Sequence, residues 1–212
     1  MPDVSKSEAK TEQLVMPGEL REKFGGGGVS DEDALNDGEK KIEEMIAANV
    51  PLPDILSTLV QMIEAQSPEM ICSVLLLSPD GNHIMHGAAP SLPDHYVKAV
   101  DGAPIGPKNG SCGTAMYRGE RVVVTDILTD PLWEDYRELA KGTVLRACWS
   151  TPILSRRGKV LGSFAMYYTE PQTPSGEEAR LTEVATRLAA KAIENQAGVS
   201  TRSGSDGIRT TP

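Results

Sequence analysis

The sequence predicts an α+β domain, a mostly antiparallel sheet with helices on both faces. Short apolar runs at 71–77, 83–88, 121–124, 147–154 and 160–168 have strand length and are bounded by turn residues. Apolar residues at three- and four-residue spacing mark helices at both ends of the folding segment. The order helix, two strands, short helix, strand, helix, two strands, helix leaves the terminal helices to share one sheet face. Mid-chain helices and loops then close over the other face, where a cavity is expected.

Composition bounds the function. Among 212 residues, 21 Lys and Arg stand against 30 Asp and Glu, a net charge of −9 that disfavours nucleic acid and anionic membrane surfaces as partners. No apolar run reaches the roughly 18 residues of a membrane span, and the first thirty residues lack the apolar core of a signal peptide. The expectation is a cytoplasmic protein. Cys72, Cys112 and Cys148 are odd in number and form no CxxC, which argues against a disulfide framework or a zinc site and for reduced thiols.

Residues 1–37 are polar, acidic and interrupted by Gly25-Gly26-Gly27-Gly28, so they are expected to be a disordered tail. Residues 198–212 are expected to be a second one, leaving a domain at 38–197. Within it, Glu39–Ala48 and Leu52–Ala65 are predicted helices separated by Pro51 and Pro53. Ile55, Leu56, Leu59, Val60 and Ile63 form a stripe to lie on the sheet. Ser78-Pro79-Asp80-Gly81 turns the first strand back into the second. Leu92–Val100 reads as a short helix, Gly106–Gly113 as a loop too rich in glycine for a strand, and Thr114–Arg118 as a helical turn. A loop from Asp126 leads to a helix at Glu134–Lys141, and 155–159 suits a hairpin. Thr173 is the candidate cap of the last helix, which buries Leu181, Ala185, Leu188, Ala189 and Ala192.

Five stretches fall in order on these elements: Asn109-Gly110-Ser111-Cys112-Gly113-Thr114-Ala115, Val124-Thr125-Asp126-Ile127, Asp130-Pro131-Leu132-Trp133, Arg146-Ala147-Cys148-Trp149-Ser150-Thr151-Pro152 and Val160-Leu161-Gly162-Ser163-Phe164-Ala165-Met166. As a set they resemble the GAF domain of the kind fused to bacterial histidine kinases and diguanylate cyclase or phosphodiesterase proteins. The resemblance covers roughly Leu52 to Asn195. It implies a six-stranded antiparallel sheet with a ligand cavity on one face, and helices on the other that often dimerise in parallel. A small-molecule-sensing input domain is therefore expected, with a kinase or cyclic-di-nucleotide output domain in cis or trans. The chain would be a truncated input module or a stand-alone regulator. A dimerisation scaffold without ligand is the bland alternative.

Candidate ligand-binding residues are Ser111, Cys112, Asp126, Trp133, Tyr136, Arg146, Trp149 and Thr151. Ser111 and Cys112 sit just before a helical turn, where backbone N–H groups favour a Cys112 thiolate or a bound anion, while the small residues around them equally suit a pocket wall or simple close packing. Trp133 in a polar loop is a lid candidate, whereas core filling suits Trp149 better. Arg146 either reaches solvent or meets an anion or Asp126. The Gly-x-Cys-Gly piece also resembles free methionine sulfoxide reductases, but neither Cys148 nor Cys72 matches a partner thiol of that family, so no enzyme is expected. His83 and His86 point to opposite faces of a strand and no Cys-His dipeptide occurs, which argues against haem and bilin. The cofactor is left unnamed, and the terminal helices suit a homodimer.

Overall fold

The computed structural model describes residues 31–205. Strands β1 (Ile71–Leu77), β2 (Ile84–Ala88), β3 (Val122–Val124), β4 (Ala147–Leu154) and β5 (Val160–Tyr168) form one sheet in the order β2-β1-β5-β4-β3. Every pairing is antiparallel. At its centre Ser73 of β1 and Ser150 of β4 flank Ala165 of β5, and Cys148 lies opposite Tyr167.

The sheet has five strands, not the six implied by the resemblance. A further segment does run beside β2, where Ile84 N–H donates to Ala103 O at 2.8 Å and Ile105 N–H to Asn82 O at 2.9 Å. It closes only a single bridge, His83 to Pro104. Pro104, which has no N–H, occupies the non-hydrogen-bonded position of that bridge, where none is needed.

On one face pack α1 (Asp31–Ala47), α2 (Leu52–Glu64) and α6 (Gly176–Ser205). Their stripes meet the sheet in a core that includes Ile42, Leu56, Leu59, Leu188, Val74, Trp149 and Phe164. Between α1 and α6, Glu39 pairs with Arg187, and Glu43 with Lys191 at 2.7 Å. The other face carries α3 (Asp94–Val100), α4 (Gly110–Arg118), a 3-10 helix (Pro131–Tyr136) and α5 (Arg137–Lys141). Ile71, Leu75, Tyr96, Ala115, Ile127 and Tyr167 belong to the second core, on that side. The layering follows the order of elements in the sequence.

Two boundaries differ from expectation. Helix α1 starts at Asp31 rather than beyond residue 37, because Leu35 continues the buried stripe of Ile42 and Ile46. Asn36-Asp37-Gly38 resembles a turn, yet it is helical, and Gly38 is where α2 passes close by: a Cβ there would lie 2.4 Å from Met62 Sδ. Helix α6 runs on to Ser205, past the boundary at 198, and it is capped by Ser175 rather than Thr173. The Ser175 N–H donates to Glu178 Oε2 at 2.7 Å and the Glu177 N–H to Ser175 Oγ at 3.3 Å, a capping box. The remaining tail expectations, for 1–30 and 206–212, lie outside the described residues. Among the described residues no helix is long and apolar enough to cross a membrane.

Candidate functional site

The stretch expected as a glycine-rich loop is in part the first turn of α4, which begins at Gly110. Gly110 has φ +60, and a Cβ on it would point at the rings of Trp133 and Tyr136, 3.9 Å away. Only glycine takes that backbone without strain. The helix therefore starts abruptly against the sheet, with Ser111 and Cys112 buried beneath it.

Ser111 ties three elements together. Its Oγ accepts from Trp133 Nε1 at 2.9 Å and donates to Cys148 O at 3.2 Å. Trp133 is 3% exposed, carried on the 3-10 helix that Asp130 caps by accepting from Leu132 N–H at 2.8 Å. Tyr136 OH accepts from Asn109 Nδ2 at 3.3 Å, and the Tyr136 ring stands edge-on to Trp133 with centroids 6.4 Å apart.

Beneath this layer lies a polar island. Cys112 Sγ is 3.0 Å from Ser150 Oγ and 3.7 Å from Tyr167 OH, and Cys148 Sγ is 3.8 Å from the same Ser150 hydroxyl. Tyr167 OH is also 3.2 Å from Ser73 Oγ. Hydrogen bonding from the Cys148 thiol, helped by Ser150 and Tyr167, draws Cys112 down to about 7 against its burial. Burial, with Cys112 facing it, pushes Cys148 well up. Cys148 is thus the neighbouring thiol that the sequence did not assign to Cys112. Sequence separation hid it; β4 alternation and the seating of α4 create it.

Next to the island is a cavity of about 30 Å³, room for about one or two water molecules. Ser111, Cys112, Trp133 and Tyr136 line it, as do Tyr96, Asn109, Leu139 and Tyr167, and none of its lining residues is charged. Tyr96 and Leu139, which were not among the candidates, belong to the same wall. The four-residue spacing of Leu92, Tyr96 and Val100 was the available signal, since it aims one face of α3 inward.

The other candidates stand elsewhere. Arg146 Nη2 donates to both Asp126 carboxylate oxygens at 3.2 Å, so each satisfies the other beside the cavity rather than in its wall. Trp149 and Thr151 alternate onto the opposite sheet face. There Trp149 packs on Tyr168, ring centroids 4.6 Å apart, and Thr151 Oγ1 accepts from Arg121 Nε at 3.1 Å. Among the described residues no three His, Cys, Asp or Glu side chains are grouped to hold a metal ion.

The family model for the GAF domain matches residues 51–194. A curated relative, the methyl sulfide methyltransferase-associated sensor of Methanosarcina acetivorans, is 38% identical over 157 residues. That match covers 74% of this chain and spans only 16% of the relative's length. The GAF domain of a phosphoenolpyruvate-protein phosphotransferase from Coxiella burnetii superposes with a TM-score of 0.62 at 18% identity, covering 78% of this chain and 96% of that one. The free methionine-R-sulfoxide reductase of Neisseria meningitidis, solved with its substrate, gives 0.62 at 14% identity, covering 82% of this chain and 96% of that one. These two structures share the fold, and at such identity the likeness goes no further.

Proposed function

The chain belongs to the GAF domain family, and on that premise we propose that it is the ligand-binding input module of a signalling protein. Its ligand is small and uncharged, and binds between α4 and the Trp133 helix. One observation carries the reading: the cavity is walled by the rings of Tyr96, Trp133, Tyr136 and Tyr167, and in that wall the Trp133 indole is hydrogen-bonded to Ser111. A ligand that reaches Ser111 competes with Trp133 for that hydrogen bond, which couples occupancy to the position of the 126–145 segment.

Transmission follows from strand alternation. Tyr167 faces the cavity, while its neighbour Tyr168 faces the terminal helices and donates to Glu178 Oε1 at 3.2 Å, at the start of α6. A shift of β5 is thereby passed to the α6 cap and to the α1–α6 pair, which is the surface assigned to a homodimer and to an output domain in cis or trans. The sensor name of the relative supports this reading, and the sulfoxide reductase neighbour does not displace it.

The test is native mass spectrometry with thermal shift on the full chain, using small neutral polar molecules and methionine sulfoxide as probes. A co-purifying mass, or a probe that raises Tm in the parent and less in Ser111→Ala, supports ligand binding. No bound mass and no shift across the panel rejects it. Turnover of methionine sulfoxide with a thiol reductant would identify an enzyme instead.

A further inference from the structure

We propose that Cys112 and Cys148 are a redox-responsive dithiol, closed to an intramolecular disulfide by hydrogen peroxide that enters the Trp133-lined cavity. The proposal is independent of the ligand reading and stands if that reading fails.

The geometry is specific to these two thiols. Cys148 and Ser150 are two apart on β4 and so point to the same face, where Ser150 Oγ touches both sulfurs, at 3.0 Å to Cys112 and 3.8 Å to Cys148. The Ser111 hydroxyl, bonded to Cys148 O, fixes the first turn of α4 over β4 at that point. Cys72 belongs to the core on the opposite face of the sheet, out of reach of either.

Buried cysteines usually pack as small apolar groups. Here the surroundings are polar instead. Ser163, wholly buried, lies near the Cys112 thiol, yet its Oγ has no hydrogen-bond partner in good geometry. A buried hydroxyl without a partner is costly, and a polar guest or an oxygen newly bonded to Cys112 would supply one. The oxidant is chosen by size: the cavity of about 30 Å³ has Cys112 in its wall and accepts a molecule little larger than water.

The chemistry balances without another reagent. The Cys112 thiolate attacks one peroxide oxygen, an S–O bond forms, the O–O bond breaks, and hydroxide leaves to take up the thiol proton as water. Cys148 sulfur then attacks the Cys112 sulfur, the S–S bond forms, and the S–O bond breaks as a second water departs with the Cys148 proton. Two thiols are oxidised by two electrons and one peroxide is reduced to two waters. The first step also removes the negative neighbour that opposes ionisation of Cys148, so the second thiol becomes easier to deprotonate when it is needed.

The test treats the reduced full chain with hydrogen peroxide under native conditions, then reads intact mass and a tryptic map. Trypsin places Cys112 in 109–118 and Cys148 in 147–156, so the bond appears as one linked pair of peptides. The expected result is a loss of about 2 Da, reversed by dithiothreitol, kept in Cys72→Ser and abolished in Cys148→Ser, whose Cys112 instead gains about 16 Da or multiples of it. A disulfide through Cys72, oxygen additions to the parent without the 2 Da loss, or no reaction would each overturn the proposal. Should Cys148→Ser fail to fold by circular dichroism, the linked peptides of the parent and of Cys72→Ser decide alone.

Discussion

The indole N–H of Trp133 is donated to Ser111 Oγ at 2.9 Å, a buried polar contact that helps fasten the 3-10 helix to the first turn of α4. In Trp133→Phe the ring remains but the donor is gone. Losing about 1 kcal/mol of closing interaction raises the open population about fivefold. Labelling of Cys112 by a small thiol reagent, mapped on peptide 109–118, is expected to accelerate by about that factor. Cys72 should not respond. An unchanged Cys112 rate would mean that closure depends on other contacts.

Asp126 and Arg146 bracket the segment that carries Trp133. Arg146 also holds the Asp126 carboxyl below the usual carboxylate range, with burial acting against it. A depressed pKa means that this pair stabilises the fold above the unfolded carboxylate value, about 3.9, and that the contribution disappears as pH falls through the folded value. The pair is partly exposed, with side chains 37% and 22% accessible, so its coupling should be only about 1 kcal/mol. A double-mutant cycle with Asp126→Asn and Arg146→Met, measured by urea unfolding, should give that coupling at neutral pH and none in strong acid.

The sheet was legible because β1, β4 and β5 are largely apolar runs of strand length bounded by turn residues, and the helices at both ends of the domain show their stripes. Ser111, Cys112 and Trp133 stood out because each lies in a short motif, and Tyr136 because aromatics are few in this chain; the structure brings the four together around one cavity. Trp149 misled because a strand exposes neighbouring residues to opposite faces, and the motif does not say which face holds the cavity. The Cys112–Cys148 pairing was hidden for a different reason. It depends on where α4 crosses β4, a tertiary placement without a local sequence signal.

Leu35 tests the corrected start of the domain. It is 2% exposed in a helix whose first turns read as a polar tail. Leu35→Ala should destabilise the protein by about 2 to 5 kcal/mol, the range for an emptied core site. Asn36→Ala, on the exposed side of the same turn, should change stability by no more than about 0.5 kcal/mol. Equal, small effects in chemical denaturation would show that α1 contributes nothing to the core.

Glu64 sets a pH dependence of stability. Its Oε1 accepts from the Cys72 N–H and its Oε2 from the Ser91 hydroxyl, both at 2.8 Å, joining α2 to β1 and to the segment before α3. Burial outweighs these two bonds and raises the carboxyl from 4.5 to about 7. The folded chain therefore holds the proton more tightly than the unfolded chain. The contribution of Glu64 to stability is greatest below 4.5, falls as pH rises through the interval up to about 7, and then levels. The drop is on the order of 3 kcal/mol for this residue. In Glu64→Gln the amide oxygen still accepts from Cys72 and the amide nitrogen donates to Ser91 Oγ, with no charge to bury. Subtracting the two unfolding free-energy curves should leave a step between pH 4.5 and 7 that favours the variant on the alkaline side. Parallel curves would mean that Glu64 keeps an ordinary carboxylate pKa and that its burial is compensated elsewhere.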